Sequence, residues 1–148
     1  MKRVDHIAVL VRDIEAAKRF FTEAFGFQSE PTSENPSLGI RNAFLEGENV
    51  KLELIEPVAE GPYWEFLREG KIGLNHLAFA VEDIDAALGR LEKIGVRPSR
   101  PPFTGARGTV VDFDSETTMG IRIQIFKKKS FVRTKAGRNW RQELPTAL

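Results

Sequence analysis

The chain has 148 residues, 41% of them hydrophobic and 29% charged, which is the balance of about one globular domain with a core of its own. It contains no cysteine, which excludes disulfides, thiolate metal sites and cysteine nucleophiles. No run approaches the roughly 18 apolar residues of a membrane span, and the apolar stretch at 7–11 (IAVLV) is too short for a secretion signal, so a cytoplasmic protein is expected. The net charge of +1 hides an asymmetry: residues 127–148 hold seven of the 22 basic residues and one of the 21 acidic ones. The rest therefore carries fifteen bases against twenty acids, which disfavours nucleic acid as a partner. The basic end reads as a solvated tail, or one that lies on its own acidic body or a partner subunit, with Trp140 as a docking residue.

In chain order, residues 5–17 (DHIAVLVRDIEAA) open with an alternating strand and run into a helix. Asp13 stands at the N-cap; Ile14, Ala17, Phe21, Ala24 and Phe25 form an apolar stripe; Gly26 is the C-cap residue. Residues 31–38 read as a loop, 39–46 (GIRNAFLE) as a strand and 50–55 (VKLELI) as a closing strand. A linker with a short helix near 63–68 follows, in which Tyr63, Trp64 and Phe66 serve packing. Residues 75–87 (NHLAFAVEDIDAA) then repeat the opening at an offset of 70, with seven of 13 positions identical. The second helix has Asp83 at its N-cap, the stripe Ile84, Ala87, Leu88, Leu91 and Ile94, and Gly95 at its end. A loop at 98–108, a strand at 108–114 and a closing strand at 121–126 (IRIQIF) complete the second unit. The fold class is therefore α+β, with two βαβββ modules in tandem: 1–57, a linker 58–71, 72–127, and a basic tail 128–148.

Period-two alternation puts His6, Ala8 and Leu10 on one face of the first strand, and His76, Ala78 and Ala80 on one face of its counterpart. Small alanines beside each histidine leave room for a ligand. On the closing strands Lys51, Glu53 and Ile55 share a face, as do Arg122, Gln124 and Phe126. The only two histidines of the chain thus recur at equivalent places, each paired with a polar residue inside an apolar strand. A lone buried histidine is usually structural, but two imidazoles and a carboxylate make a good ligand set for a divalent ion, which also offsets the cost of burying Glu53. Lys51 and Arg122 are candidate binders of an anionic substrate group, or else rim residues paired with acidic neighbours.

These stretches, with KLELIEP (51–57), EFLREGKIGLNHLAFAVEDIDAAL (65–88) and GVRPSRPPFTGARGTVVDFD (95–114), resemble the vicinal oxygen chelate superfamily, which includes glyoxalase I, the bleomycin resistance proteins and the extradiol dioxygenases. Within it the chain looks most like the methylmalonyl-CoA epimerases. The resemblance implies a half-open barrel around one divalent metal (Co, Ni, Zn, Mn or Fe), with ligands at His6, Glu53, His76 and Gln124. It implies an enzyme that moves a proton at a carbon alpha to a carbonyl or thioester, on an acyl-CoA of the methylmalonyl type, and a homodimer. Some positions depart from the family pattern. Gln124 stands where Glu is usual, and an amide coordinates through its oxygen but cannot act as a base. The usual second Glu base falls near Ser37, the double histidine is Asn75-His76, and the usual His-Pro is Asp114-Ser115. Glu53, the remaining carboxylate, is then the candidate base. The other readings are a glyoxalase I-like lyase, a non-haem iron oxygenase, and a metal-free small-molecule binding protein.

Overall fold

The computed structural model describes residues 3–129, 131–133 and 140–142. The first module runs β1 (Val4–Leu10), α1 (Ile14–Phe25), β2 (Gln28–Ser29), β3 (Ser33–Asn35), β4 (Ile40–Glu46) and β5 (Lys51–Pro57). A short helix α2 (Trp64–Arg68) leads to the second, β6 (Gly73–Ala80), α3 (Ile84–Glu92), β7 (Phe103–Thr104), β8 (Gly108–Asp112) and β9 (Ile123–Lys128). Two further strands, β10 (Phe131–Arg133) and β11 (Trp140–Gln142), pair with each other. The remainder of the basic tail and the side chain of Trp140, on which a docking role was expected, lie outside the described residues. Among those residues no helix is long and apolar enough to cross a membrane.

The two modules share one curled, mixed sheet of nine strands in the order β2-β4-β5-β1-β6-β9-β8-β7, with β3 beside β2 on the edge of β4. In each module the opening strand lies parallel to its own closing strand, β1 to β5 and β6 to β9. The two opening strands pair antiparallel at the centre. Both helices cover the outer face. Ile14, Ala17 and Phe21 of α1 pack on Ile7, Val9, Leu45, Leu52 and Leu54. Ile84, Ala87, Leu88 and Leu91 of α3 pack on Val111, Phe113, Ile123 and Ile125. With alternate residues spent on the helices, the others of each strand face the inside of the curl. Asp13 and Asp83 cap their helices as the sequence predicts, accepting from the N–H of Ala16 at 3.0 Å and of Ala86 at 2.9 Å.

The departures are local. The apolar stripes run past the sheet: Phe25 is 65% and Ile94 75% exposed, and Phe25 stacks on Phe20 and Phe21 instead. The segments 31–38 and 98–108 are not wholly loop, because β3 and β7 form in them; strands of three and two residues are too short to show a period. Helix α3 stops at Glu92, and Gly95 takes its left-handed conformation (φ 83°) beyond the end. The closing strands start one and two residues later than expected, at Lys51 and Ile123.

The linker seals one end of the inner face. Leu38, Phe66 and Leu67 pack on Ala8, Leu10, Ile40, Ile55 and Tyr63. Gly39 fixes this junction: it has φ 65°, its carbonyl accepts from Val58 and Ala59, and a Cβ there would lie 2.6 Å from the Ala59 oxygen. Gly39→Ala is expected to cost about 2–3 kcal/mol of unfolding free energy, read from denaturant midpoints at unchanged m-value, since both the left-handed backbone and the close approach need glycine.

Candidate metal centre

The register of the four central strands builds the site. At the local two-fold, Ile7 faces Leu77, its own repeat equivalent. One step to either side, His6 faces Ala78 and Ala8 faces His76. Glu53 lies beside Ala8, and Gln124 beside Ala78. Two rows therefore cross the inner face, Glu53–Ala8–His76 and His6–Ala78–Gln124, each with an alanine at its middle. The alanine methyls leave the centre open, and the four polar side chains converge over it. All four are buried. Ligating atoms of His6, Glu53 and His76 lie within 4.8 Å of one another. Gln124 stands at the far end of the row that His6 opens and lines the same void as His6 and Glu53.

The ring nitrogens are held from behind. Nδ1–H of His6 donates to Asp5 Oδ2 at 2.9 Å, and Nδ1–H of His76 donates to the side-chain Oδ1 of Asn75 at 2.8 Å; the acceptor partners set both tautomers. Strict alternation would send Asp5 and Asn75 to the outer face. The β1–β6 ladder slips between Val4 and His6 and again between Ala8 and Val9, so each of these residues sits in a bulge. A bulge re-aims a side chain, here onto the histidine that follows. The Nε2 atoms of both histidines are buried, and neither makes a hydrogen bond. His6 Nε2 is 3.1 Å from Glu53 Oε2, a close electrostatic contact that lacks hydrogen-bond alignment. The other Glu53 oxygen accepts from Asn42 Nδ2 at 3.1 Å.

Without a metal, the site splits its two imidazoles. Burial disfavours the charged form of His6, but the contacts with Asp5 and Glu53 outweigh it and push His6 up to about 9. Burial holds His76 down at about 4, against the pull of Glu53. Burial would raise Glu53, yet His6, with help from His76 and Asn42, keeps it below the usual carboxylate range. The His6 proton is thus the counter-charge of a buried carboxylate, the place a cation can take. Two orphaned imidazole nitrogens and one carboxylate fit a divalent ion with N/O ligands, and His6, Glu53 and Gln124 line an adjoining void of about 30 Å³, enough for an ion or a water or two.

Around the void the walls are mostly apolar, from Leu38, Ile40, Phe44, Phe103, Val110 and Phe126, with the Arg107 guanidinium stacked over Phe44 at 3.7 Å. Phe44 and Phe126 stand edge-on to His6, whereas Phe113 belongs to the outer core. Tyr63, expected only to pack the linker, is buried here, with its hydroxyl 3.5 Å from Gln124 Nε2 and its acidity suppressed by burial. Asn42 had a faint signal, an amide in the middle of an apolar strand; Tyr63 had none. The two symmetry-related cations part ways. Lys51 Nζ lies 3.3 Å from Glu46, while Arg122 stacks over Phe66 at 4.2 Å and lines a polar cavity with His76 and Gln124.

Paired βαβββ modules around such a centre define a class, and the comparisons name it. The model of the glyoxalase/bleomycin resistance protein/dioxygenase superfamily matches residues 5–113, and the chain belongs to that family. It is 36% identical over 115 residues to the ethylmalonyl-CoA/methylmalonyl-CoA epimerase of Cereibacter sphaeroides, covering 75% of this chain and 86% of that protein. It is 34% identical over 134 residues to an uncharacterized protein of Bacillus subtilis strain 168, covering 87% and 94%. The crystal structure of methylmalonyl-CoA epimerase from Mycobacterium tuberculosis superposes with a TM-score of 0.78 at 25% identity, over 86% of this chain and 88% of that one.

Asn42→Ala removes the one hydrogen bond of good geometry to Glu53. It is expected to lower stability by about 1–3 kcal/mol, measured by chemical unfolding of metal-free protein, because a buried carboxylate oxygen is left unpaired.

Proposed function

We propose that the protein is a metal-dependent epimerase that moves a proton at a carbon alpha to a thioester or carbonyl, on a methylmalonyl-CoA-type substrate. The observation that carries this is the convergence of His6, Glu53 and His76 with both Nε2 atoms buried and unpartnered. The epimerase relatives supply the reaction class. His6, Glu53 and His76 would hold the ion, with Gln124 as a weaker fourth ligand through Oε1. Its Nε2 faces the Tyr63 hydroxyl, which orients the amide so that Oε1 can turn inward. A divalent cation there supplies Lewis-acid stabilisation of the negative charge that builds on a substrate oxygen when the α-proton leaves.

The chain's own residues do the rest. Asp5 and Asn75 fix both imidazole planes, so the site is formed before a ligand arrives. Glu53 is the one carboxylate among the described residues that line the chamber, and it is the base that takes the α-proton. Its low proton affinity keeps it ionised, and the low-dielectric walls raise its effect on a bound carbon acid. The phenyl rings of Phe44 and Phe126, with Leu38 and the linker residue Tyr63, exclude water from the reacting carbon. Arg122 is placed to meet the substrate's free carboxylate, whereas Lys51 is already paired with Glu46.

Metal loading is the first test. Protein stripped and reloaded separately with Mn, Co, Ni and Zn is expected to hold about one tight ion per chain by elemental mass spectrometry, and His76→Ala to weaken that binding more than about 100-fold. No tight ion under any loading overturns the metal centre. For the reaction, loaded protein in heavy water is expected to exchange the α-proton of methylmalonyl-CoA, followed by NMR. Glu53→Gln should slow the exchange by about 100-fold or more; full turnover in that variant with metal retained removes Glu53 from the base role.

A further inference from the structure

We propose that the polar cavity on the β8–β9 side of the centre is a subsite for an acyl arm that carries both a carboxylate and a hydroxyl. This names a substrate class for the centre proposed above and rests on that reading of His76 and Gln124.

The cavity measures about 200 Å³ and is lined by His76, Ser99, Asp112, Ser115, Arg122 and Gln124, among others. It opens where the two modules differ most. In the first module the residue across the ladder from Glu53 is Phe44; in the second, the residue across from Gln124 is Asp112. Residues opposite one another on antiparallel strands share a face, so a carboxylate stands where symmetry would put a phenyl ring. The centre therefore has a phenyl ring, with the Arg107 guanidinium stacked over it, on one side and a carboxylate on the other.

Two atoms on the charged side lack a partner. Asp112 Oδ2 accepts from Arg100 Nε at 3.0 Å and from Arg100 Nη2 at 2.7 Å, but its Oδ1 is buried without a hydrogen bond. The Arg122 guanidinium lies against Phe66, and its Nε is likewise buried and unpaired. Buried polar atoms are rarely left so. An ionised carboxylate only accepts, so the group that satisfies Asp112 must donate; an arginine only donates, so the group that satisfies Arg122 must accept. The charges add a condition. Arg100 neutralises Asp112, Arg97 lies 3.7 Å from the cavity's other carboxylate, Asp114, and Arg122 remains over by one positive charge. A ligand that answers all three demands carries a carboxylate for Arg122 and a hydroxyl for Asp112. A methyl group at the same place would leave Asp112 unanswered.

The probes are hydroxymalonate and methylmalonate, which differ by a hydroxyl in place of a methyl. Each is titrated into the metal-loaded protein by calorimetry. Hydroxymalonate is expected to bind about tenfold or more tightly, the worth of one hydrogen bond to a charged group. Because a hydroxyl beside a carboxylate also chelates metals, the decisive comparison is Asp112→Asn. That variant can offer the hydroxyl only a neutral hydrogen bond in place of a charged one, so the preference should shrink severalfold while metal stoichiometry is retained. Arg122→Gln should weaken both acids to a similar degree and leave their ratio. Equal affinity in the unaltered protein, an undiminished preference in Asp112→Asn, or no saturable binding of either acid overturns the subsite. Turnover of methylmalonyl-CoA plays no part in the measurement. A failed preference therefore leaves the epimerase reading standing, and a failed exchange assay leaves this one readable.

Discussion

The site depends on one strand pairing, the antiparallel ladder between β1 and β6. Its register places Ile7 against Leu77, and from that single coincidence of repeat equivalents the rest follows. His6 and His76 fall on opposite sides of the local two-fold, each facing the small side chain of the other module. The parallel partners β5 and β9 bring Glu53 and Gln124 in beside those same alanines. A slip of one residue would turn the polar pair of one module toward its helix while the other pair stayed inside. The register is held against such a slip by the outer core, since Ile7 and Val9 must stay under α1 while Val81 and Ile123 stay under α3. The helices thus act on the chemistry at a distance: they decide which face of the sheet is free to be polar.

The two bulges are the second device. A straight ladder would have spent Asp5 and Asn75 on the outer face. Because each is the extra residue of a bulge, it folds back onto the next imidazole and fixes its tautomer. The duplication keeps the bulge in both modules but not its charge. Asp5 is a carboxylate and raises the proton affinity of His6; Asn75 is an amide, and His76 stays neutral under burial. One architecture therefore yields one imidazole that serves as counter-ion to Glu53 and one that needs none.

This division explains what could be read from the sequence and what could not. The repeat at 5–17 and 75–87, the aspartate caps and the alternation of the strands are local patterns, and they foretold two βαβββ modules in one curled sheet. The convergence of His6, Glu53, His76 and Gln124 followed from applying the two-fold to those patterns. Features that depend on departures from periodicity were hidden. Asp5 and Asn75 obey the sequence repeat but break the alternation, and only the ladder shows it. Tyr63 enters the site through the path of the linker, and Gly39 and Gly61 set that path by close backbone contacts that no periodicity encodes. Strands β3 and β7 exist because β4 and β8 offer them an edge, not because their own residues demand it. The separation of Lys51 from Arg122 was equally invisible, since it turns on an acidic neighbour, Glu46, at one position and an aromatic one, Phe66, at the other.

Gln124 gains meaning when charge is counted rather than residues matched. Two neutral imidazoles, one carboxylate and one amide bring a single negative charge to the proposed divalent centre. A carboxylate at 124 would neutralise the ion before any substrate arrived. With the amide, one positive charge is left for the substrate to meet, and Arg122 stands close by with another. In a chamber walled mostly by phenyl and aliphatic side chains, where interactions between charges are screened little, that surplus would favour an anionic ligand and, in the proposed reaction, the enolate that follows loss of a proton. What the amide gives up is a base on that side. The carboxylate that lies across the ladder from it, Asp112, is tied to Arg100 and faces the polar cavity. In the second module the carboxylate therefore stands one strand outward of the place Glu53 holds in the first, at Asp112 on β8 rather than at position 124 on β9.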